Sequence, residues 1–200
     1  MPSLSGRDYA QGRGFKPRGI PILSDTFLAT DGTNPSDRAS DIGGPWIETD
    51  TGGRLSVQSN QARFTTGGVA NDPKFLVGPH ERLTGRVLSF DLTPGQTNQD
   101  GLQIGFWSGT NLHPVSGDRQ HIMWFYLDGN IYCRESGGEG AAAAYVSSAR
   151  RVRIVLKATG ATYFYDGVQI ADLAVNSGGS LYIGIGAQNG TWDIDNILLI

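Results

Sequence analysis

The feature that most constrains the fold of this chain is a series of Asp-Gly and Asn-Gly dipeptides that separate short apolar runs. Asn, Asp and Gly accept the positive φ angles that tight hairpin turns require. The sequence therefore predicts three consecutive hairpins in a chain built largely of antiparallel strands. Their turns are expected at Asp128-Gly129, Asp166-Gly167 and Asn189-Gly190.

Short strand-like runs alternate with turn residues over most of the chain. In 151–156, three apolar residues at even positions alternate with Arg151, Arg153 and Val155, which predicts one face toward a core and a second face that is smoother or polar. The run 122–127 is apolar throughout, so it needs cover on both faces or one face turned to a binding groove. The only helix candidate is the alanine-rich segment 141–148. The predicted strands are residues 54–58, 61–65, 74–77, 85–92, 102–107, 122–128, 130–134, 151–157, 162–166, 168–173, 181–187 and 191–199.

Composition supports an all-β fold. The chain has 29 Gly, and by our count only 3 Lys and 4 Glu, two residue types that favour helices. Antiparallel strands of this number and spacing predict a two-sheet jelly-roll sandwich. The single cysteine, Cys133, excludes an internal disulfide framework and is expected to be half-buried in a strand. The longest strongly apolar run is too short to span a bilayer, so no membrane partner is expected.

Charge divides the chain into two predicted units: an extended basic arm at 1–23 and the sandwich at 24–200. Residues 1–24 carry four cations and one Asp, a local charge of +3, which leaves −6 for the remainder of a chain whose net charge is −3. We expect the arm to bind neighbouring acidic subunits. A nucleic-acid-binding arm is an alternative, but four cations are few for that role. The residues assigned to assembly are Arg7, Arg13, Phe15, Lys16 and Arg18.

Several segments resemble a known family. RVRIVLK at 151–157, ATYFYDGVQIA at 161–171, YIGIG at 182–186 and WDIDNILL at 192–199 resemble the C-terminal half of the concanavalin A-like lectin/glucanase superfamily. DTF, DGT and GGPW, within 25–46, are similar to the start of sandwich domains in tailed-phage virion proteins. The resemblance implies a jelly-roll sandwich. The superfamily includes lectins, glycoside hydrolases, laminin G-like adhesion modules and viral structural proteins.

Catalysis is not expected. Glycosidases of this fold use paired acids in a Glu-x-Asp-x-x-Glu pattern, which does not occur here. Glu135 and Glu139 stand in a glycine-containing segment that predicts a flexible loop, and Asp193 and Asp195 are expected to form the polar face of the last strand.

Metal and cofactor sites are not expected either. The three histidines, at 80, 113 and 121, do not have metal-ligand spacing and are expected to be buried or loop residues. An acidic stretch offers either calcium ligands or ordinary turn and cap residues, and the sequence leaves both alternatives open. Its acids are Asp25, Asp31, Asp37 and Asp41.

Two functions remain. The first is a non-enzymatic structural protein of a phage virion, a capsid decoration or a tail or neck surface component, anchored by its arm in a homo-oligomer. The alternative is a lectin-like, carbohydrate-binding adhesion module for host-surface glycans. Its candidate docking rings are Trp107, Trp124 and Tyr126, for which core packing is the competing interpretation. Loop residues expected to bind sugar hydroxyls are Asp100, Asn111 and Arg119.

Overall fold

The computed structural model describes residues 20–49, 54–67, 74–95, 101–110, 112, 118–126, 128–135, 138–174 and 179–200. Within them, regular structure is β-strand apart from one short 3-10 turn at Pro35–Asp37, and none of these residues forms an apolar helix of membrane-spanning length. The predicted all-β class is confirmed. The strands are β1 (Leu23–Asp25), β2 (Ile47–Thr49), β3 (Leu55–Gln58), β4 (Gln61–Gly67), β5 (Lys74–Glu81), β6 (Val87–Pro94), β7 (Leu102–Trp107), β8 (Arg119–Phe125), β9 (Asn130–Glu135), β10 (Gly138–Ala144), β11 (Arg150–Leu156), β12 (Ala161–Tyr165), β13 (Val168–Leu173), β14 (Ser180–Gly186) and β15 (Asn189–Leu199).

The strands form two antiparallel sheets that enclose one core. The eight-stranded sheet has the order β13-β12-β11-β6-β15-β4-β3, with β1 also paired to β15. The seven-stranded sheet has the order β10-β9-β8-β7-β14-β5-β2. Alternate residues of β6 and β11, such as Phe90 and Ile154, pack against alternate residues of β7 and β8, such as Phe106 and Phe125. The predicted jelly-roll sandwich is confirmed.

Two of the three predicted hairpins are present, and the third is wrong. Asp128-Gly129 joins the paired strands β8 and β9, and Asp166-Gly167 joins β12 and β13. Asn189-Gly190, in contrast, connects strands of different sheets. Both edges of β14 are already occupied, by β5 and β7, so the turn carries the chain across to the other sheet, where β15 pairs with β4 and β6.

The predicted helix at 141–148 is also wrong. Its first residues belong to β10, which pairs antiparallel with β9. A helix of two turns is marginal without tertiary support, whereas the edge of β9 offers a ladder of backbone donors and acceptors. The loop predicted around Glu135 and Glu139 is correspondingly reduced, because Glu135 ends β9 and Glu139 lies in β10.

The arm lies largely outside the described residues. Leu23, the last residue assigned to it, begins β1 opposite Leu199, and the amide of Ile22 donates to the Leu199 carbonyl at 2.8 Å. The end of the predicted arm therefore joins the eight-stranded sheet. The assembly residues of the prediction that fall outside the described part of the chain are Arg7, Arg13, Phe15, Lys16 and Arg18.

A buried carboxylate anchors the segment that follows β1. Asp25 accepts hydrogen bonds from the Phe27 amide at 2.8 Å and the Trp46 indole at 2.7 Å, and it pairs with Arg38. Burial raises the pKa of Asp25, and those two hydrogen bonds and the Arg38 charge act against the rise. The Trp46 ring in turn stacks on Phe75 at 4.1 Å between centroids. One acid thus ties an irregular segment to the core.

Candidate functional site

Three aromatic rings and one arginine lie together on the outer face of the seven-stranded sheet. We call this group, Trp124, Tyr126, Tyr132 and Arg134, the aromatic platform. Trp124 points outward because both of its chain neighbours point into the core. Its ring centroid is 4.4 Å from that of Tyr126 and 6.1 Å from that of Tyr132, its cross-strand partner. All three rings are partly exposed.

Polar contacts hold the platform in place. The Tyr132 hydroxyl donates to the Asp128 carboxylate at 2.7 Å, and the Arg134 guanidinium lies 4.0 Å from the centre of the Trp124 ring. The hydrogen bond from Tyr132 is the main cause that lowers the pKa of Asp128, which keeps this exposed carboxylate ionised at the hairpin tip. The platform therefore combines apolar ring surface with a cation and with a carboxylate at its rim.

Next to the platform, the same sheet contains buried polar side-chain atoms that have no hydrogen-bond partner. Gln103 on β7 is the cross-strand partner of Trp124, and its side chain is fully buried. Neither its amide oxygen nor its amide nitrogen has a partner, and the Trp124 indole nitrogen is likewise buried without one. Leaving such a group unsatisfied costs about 1–3 kcal/mol.

Trp107 does not contribute to the exposed surface. Its ring is fully buried and lies across Gly184, whose carbonyl accepts from the indole nitrogen at 3.2 Å. A Cβ atom at position 184 would come within 2.7 Å of Trp107 and of Leu112, so only glycine fits beneath them. Trp107 packs with Leu112, Leu76 and nearby apolar residues. The core-packing interpretation therefore applies to Trp107, and only Trp124 and Tyr126 of the three candidate rings offer a docking face.

The loop residues of the sugar prediction are only partly described. Asp100 and Asn111, and with them His113, lie outside the described residues. Arg119 begins β8, opposite Trp107. The sequence interpretation missed Tyr132, Arg134 and Gln103, and a signal for the first two was available. A hairpin at Asp128 pairs residues equally distant from it, which places Trp124 against Tyr132.

The acidic pair on the last strand has structural contacts. Asp193 forms a bidentate ion pair with Arg63, at 2.7 and 2.8 Å. Asp195 accepts from the Asn196 amide at 2.7 Å, and burial raises its pKa. Both acids lie in the eight-stranded sheet, away from the aromatic platform. This placement agrees with the prediction that Asp193 and Asp195 form the polar face of the last strand.

A buried polar cluster lies between the sheets. The His121 ring nitrogen Nδ1 is 3.0 Å from the Glu135 carboxylate, and the Tyr163 hydroxyl is 3.3 Å from the same oxygen. None of these three residues is exposed. Cys133 is also fully buried, and burial raises the pKa of its thiol to about 12. Glu135 therefore faces the core rather than a solvent cleft.

Three of the four acids at 25–41 have side-chain partners within the protein. Asp31 accepts from the Ser59 amide at 2.7 Å, and Asp41 accepts from the Thr26 amide at 2.9 Å, in addition to the contacts of Asp25 described above. Asp37 belongs to the 3-10 turn. Across the described ranges, no three His, Cys, Asp or Glu side chains group as metal ligands. These contacts favour the turn-and-cap alternative over a calcium site.

Comparison with known proteins identifies the fold. A β-1,3-glucanase from Mycobacterium marinum matches 92% of this chain and 100% of its own at 10% identity, with a TM-score of 0.60. A family 16 glycosyl hydrolase from Mycobacterium smegmatis matches 90% of this chain and 100% of its own at 12% identity, with a TM-score of 0.59. The exoplasmic/lumenal domain of VIP36, in its Ca²⁺-bound form, matches 85% of this chain and 89% of its own at 11% identity, with a TM-score of 0.60.

At the level of sequence, the chain matches no family model and no curated protein. The structural likenesses show the two-sheet jelly-roll fold that the sequence predicted. Enzymes and lectins share this fold, so any activity has to be argued from the side chains themselves.

Proposed function

We propose that this chain is a carbohydrate-binding protein whose ligand docks on the aromatic platform. The observation that carries the proposal is the cluster of three partly exposed rings, 4.4–6.1 Å apart, on the outer face of one sheet. Sugars have apolar C–H faces that stack on such rings and hydroxyl groups that need hydrogen-bond partners. A rigid sheet holds the rings in place, which limits the entropy lost on binding.

The polar atoms around the platform suit sugar hydroxyls. A hydroxyl both donates and accepts, so the hydroxyls of a stacked sugar can pair with acceptors and donors at the surface of the platform. Asp128 offers an acceptor at the rim, and Arg134 offers donors beside the stacked rings. Selectivity follows from these two groups, since a ligand without matching hydroxyls cannot hydrogen-bond to them.

We further propose that the protein binds its glycan without cleaving it. Glycoside hydrolysis needs two carboxyl groups on either side of the scissile bond. Among the described residues of the platform and its immediate contacts, the only carboxylate is that of Asp128. It lies at the rim, where it accepts a hydrogen bond from the Tyr132 hydroxyl. The other strand acid nearby, Glu135, points into the core beside His121. Wild-type protein incubated with a bound oligosaccharide should leave it intact, and release of shorter products would contradict this part of the proposal.

A glycan array followed by calorimetry tests the site. Trp124→Ala should weaken binding of an array hit at least tenfold, which is about 1.4 kcal/mol. The matched control is Phe164→Ala, because Phe164 is also a partly exposed ring beneath an arginine, Arg153 at 4.6 Å, but belongs to the eight-stranded sheet. An array without hits, or equal losses in the two variants, would refute the platform as a sugar site.

A virion surface role is a second proposal, and it is compatible with glycan binding. The difference in charge between residues 1–24 and the acidic remainder supports it. In this proposal the arm binds neighbouring subunits in a homo-oligomer, and the sandwich faces outward from the particle. Deleting residues 1–19 should leave a folded protein that no longer incorporates into particles or oligomers. Unchanged assembly of the deletion variant would contradict the role of the arm.

A further inference from the structure

The strand β15 changes partner along one of its edges. On that edge β15 pairs with β4 as far as Ile194 and with β1 from Ile197 onward. Among the described residues, Asp195 and Asn196 between them have no strand partner on this edge. On the other edge the register with β6 shifts by one residue between Asp195 and Leu198, a bulge that bends the strand and re-aims its side chains. Asn196 lies in this gap with a φ of 50°, in the left-handed region.

A cleft of about 350 Å³ lies beside the gap, on the outer face of the eight-stranded sheet. Asp91 faces outward there because its chain neighbours Phe90 and Leu92 point into the core. The volume is within the range of protein sites that bind small molecules, so the cleft admits a side chain of another molecule. We call it the junction cleft, and its polar lining consists of Ser24, Thr26, Asp91, Arg151 and Asn196.

Hydrogen bonds within the junction cleft engage its donors Arg151 and Asn196. Arg151 donates through Nη1 to the Asp91 carboxylate at 3.0 Å and through Nη2 to the Ser89 hydroxyl at 2.9 Å. Asn196 donates through Nδ2 to the same carboxylate at 2.8 Å. Acceptors remain, because a carboxylate has about four acceptor positions and the side-chain oxygens of Asn196 and Ser24 accept as well. The junction cleft therefore suits a ligand that donates hydrogen bonds.

Carboxylates outnumber cations around the junction cleft. Asp195 lies directly opposite Asp91 on the neighbouring strand, and Asp41 accepts from the Thr26 hydroxyl at 2.8 Å. Among the described residues that line the cleft, Arg151 is the only cation. Burial is the main cause that raises the pKa of Asp195, and the charge of Asp91 contributes to the rise. A ligand that brings a positive charge therefore stabilises this group of carboxylates.

The chain itself carries cations of this kind in residues 1–19, which contain four basic residues and one Asp. This segment ends where the described residues begin, beside β1. Going back from Asp25 to Ile22, the chain runs along β15 from Ile197 toward Leu199, away from Asn196. Residues 1–19 are therefore attached on the side away from their own junction cleft, which favours the cleft of another copy.

We propose that the junction cleft binds the basic arm, residues 1–19, of a neighbouring copy of this chain. An ammonium or guanidinium group of the arm donates to the Asp91 carboxylate and to the side-chain oxygen of Asn196. This inference rests on the proposed assembly role and adds to it the surface that the arm binds. Arm and cleft are different surfaces, so the contact is heterologous and repeats from copy to copy as a ring or a filament. The aromatic platform, on the other sheet, stays accessible.

Two full-length variants test the site by complementation. The cleft variant, Asp91→Asn with Asp195→Asn, keeps the arm, and the arm variant keeps the cleft but replaces all four cations of residues 1–19 by Gln. Sedimentation velocity should show oligomers for the wild type and monomers for each variant alone. An equimolar mixture should form dimers with a dissociation constant at least tenfold below that of either variant with itself, because only one arm and one cleft are intact.

The matched control is Asp166→Asn with Asp172→Asn, which changes the net charge equally on the same sheet and should assemble like the wild type. Both of these acids form exposed ion pairs, with Arg150 and Lys157. Wild-type assembly by the cleft variant, or a mixture that stays monomeric, would overturn the proposed site. A monomeric wild type, or normal assembly by the arm variant, would contradict the assembly role of the arm as well.

A synthetic peptide of residues 1–19 locates the contact without a cleft variant. Titrated into the full-length arm variant, the peptide should shift the side-chain amide signals of Asn196 in an NMR spectrum and saturate with a single dissociation constant. The indole signal of Trp124, on the other sheet, should stay unchanged. Unchanged Asn196 signals, or a shift at Trp124 instead, would overturn the proposal.

Discussion

The buried contact between His121 and Glu135 allows a stability prediction whose sign changes between a single and a double substitution. His121→Leu removes the imidazole 3.0 Å from a buried carboxylate, and of the two contacts described above Glu135 keeps the Tyr163 hydroxyl at 3.3 Å. Both side chains are 0% exposed, so the energetic comparison is with buried ion pairs rather than with surface ion pairs. Removing one partner of a buried pair costs about 3–5 kcal/mol. For a chain of this length that corresponds to a fall in Tm of about 6–20 °C.

The double substitution His121→Leu with Glu135→Leu should recover most of that loss. It replaces both polar groups by side chains that suit the core, and such replacements are often neutral or stabilising. Urea unfolding followed by tryptophan fluorescence measures both variants. The control is Lys157→Met, which breaks the more exposed pair with Asp172 and should change stability by less than about 1 kcal/mol. A double variant less stable than His121→Leu would refute the argument that loss of the imidazole beside a buried carboxylate sets the cost.

Two further predictions concern single side chains. Asp25→Ala should destabilise the protein by about 3–5 kcal/mol in urea unfolding, since it leaves Arg38 and the Trp46 indole without their acceptor; a loss below about 1 kcal/mol would contradict the anchoring role of Asp25. Cys133 should not react with a thiol reagent at pH 8 in the folded protein, because it is buried and its pKa is raised to about 12. Its labelling rate should follow unfolding in urea, and rapid labelling without denaturant would contradict its placement.

Local sequence signals predicted the strands better than their partners. The bounds 102–107 and 168–173 agree with β7 and β13 because turn residues flank both runs. In contrast, β1 and β2 are three residues long and were not predicted. Strands this short carry no periodicity of their own, and each forms because a neighbouring strand presents free backbone groups. The alanine-rich β10 is a similar case, since β9 decides its conformation.

Long-range pairing limited what the sequence revealed about the site. The signal at Asn189-Gly190 correctly indicates a change of direction, but a turn dipeptide does not specify which sheet receives the next strand. Trp107 and Trp124 both lie in apolar strand runs, and only the packing of Leu112 over Trp107 distinguishes the buried ring from the exposed one. The contact of His121 with Glu135 could have been predicted, because both residues lie seven positions from Asp128 and a hairpin at Asp128 pairs them.

The central position of β15 has a consequence for how the chain folds during synthesis. This strand lies between β6 and β4 and also pairs with β1, so it joins parts of its sheet that have no other strand between them. Until residues 189–199 leave the ribosome, β3 and β4 cannot connect with the group formed by β6, β11, β12 and β13. The nascent chain must therefore carry two unfinished sheet edges, and a chaperone that covers exposed strands would act at that stage.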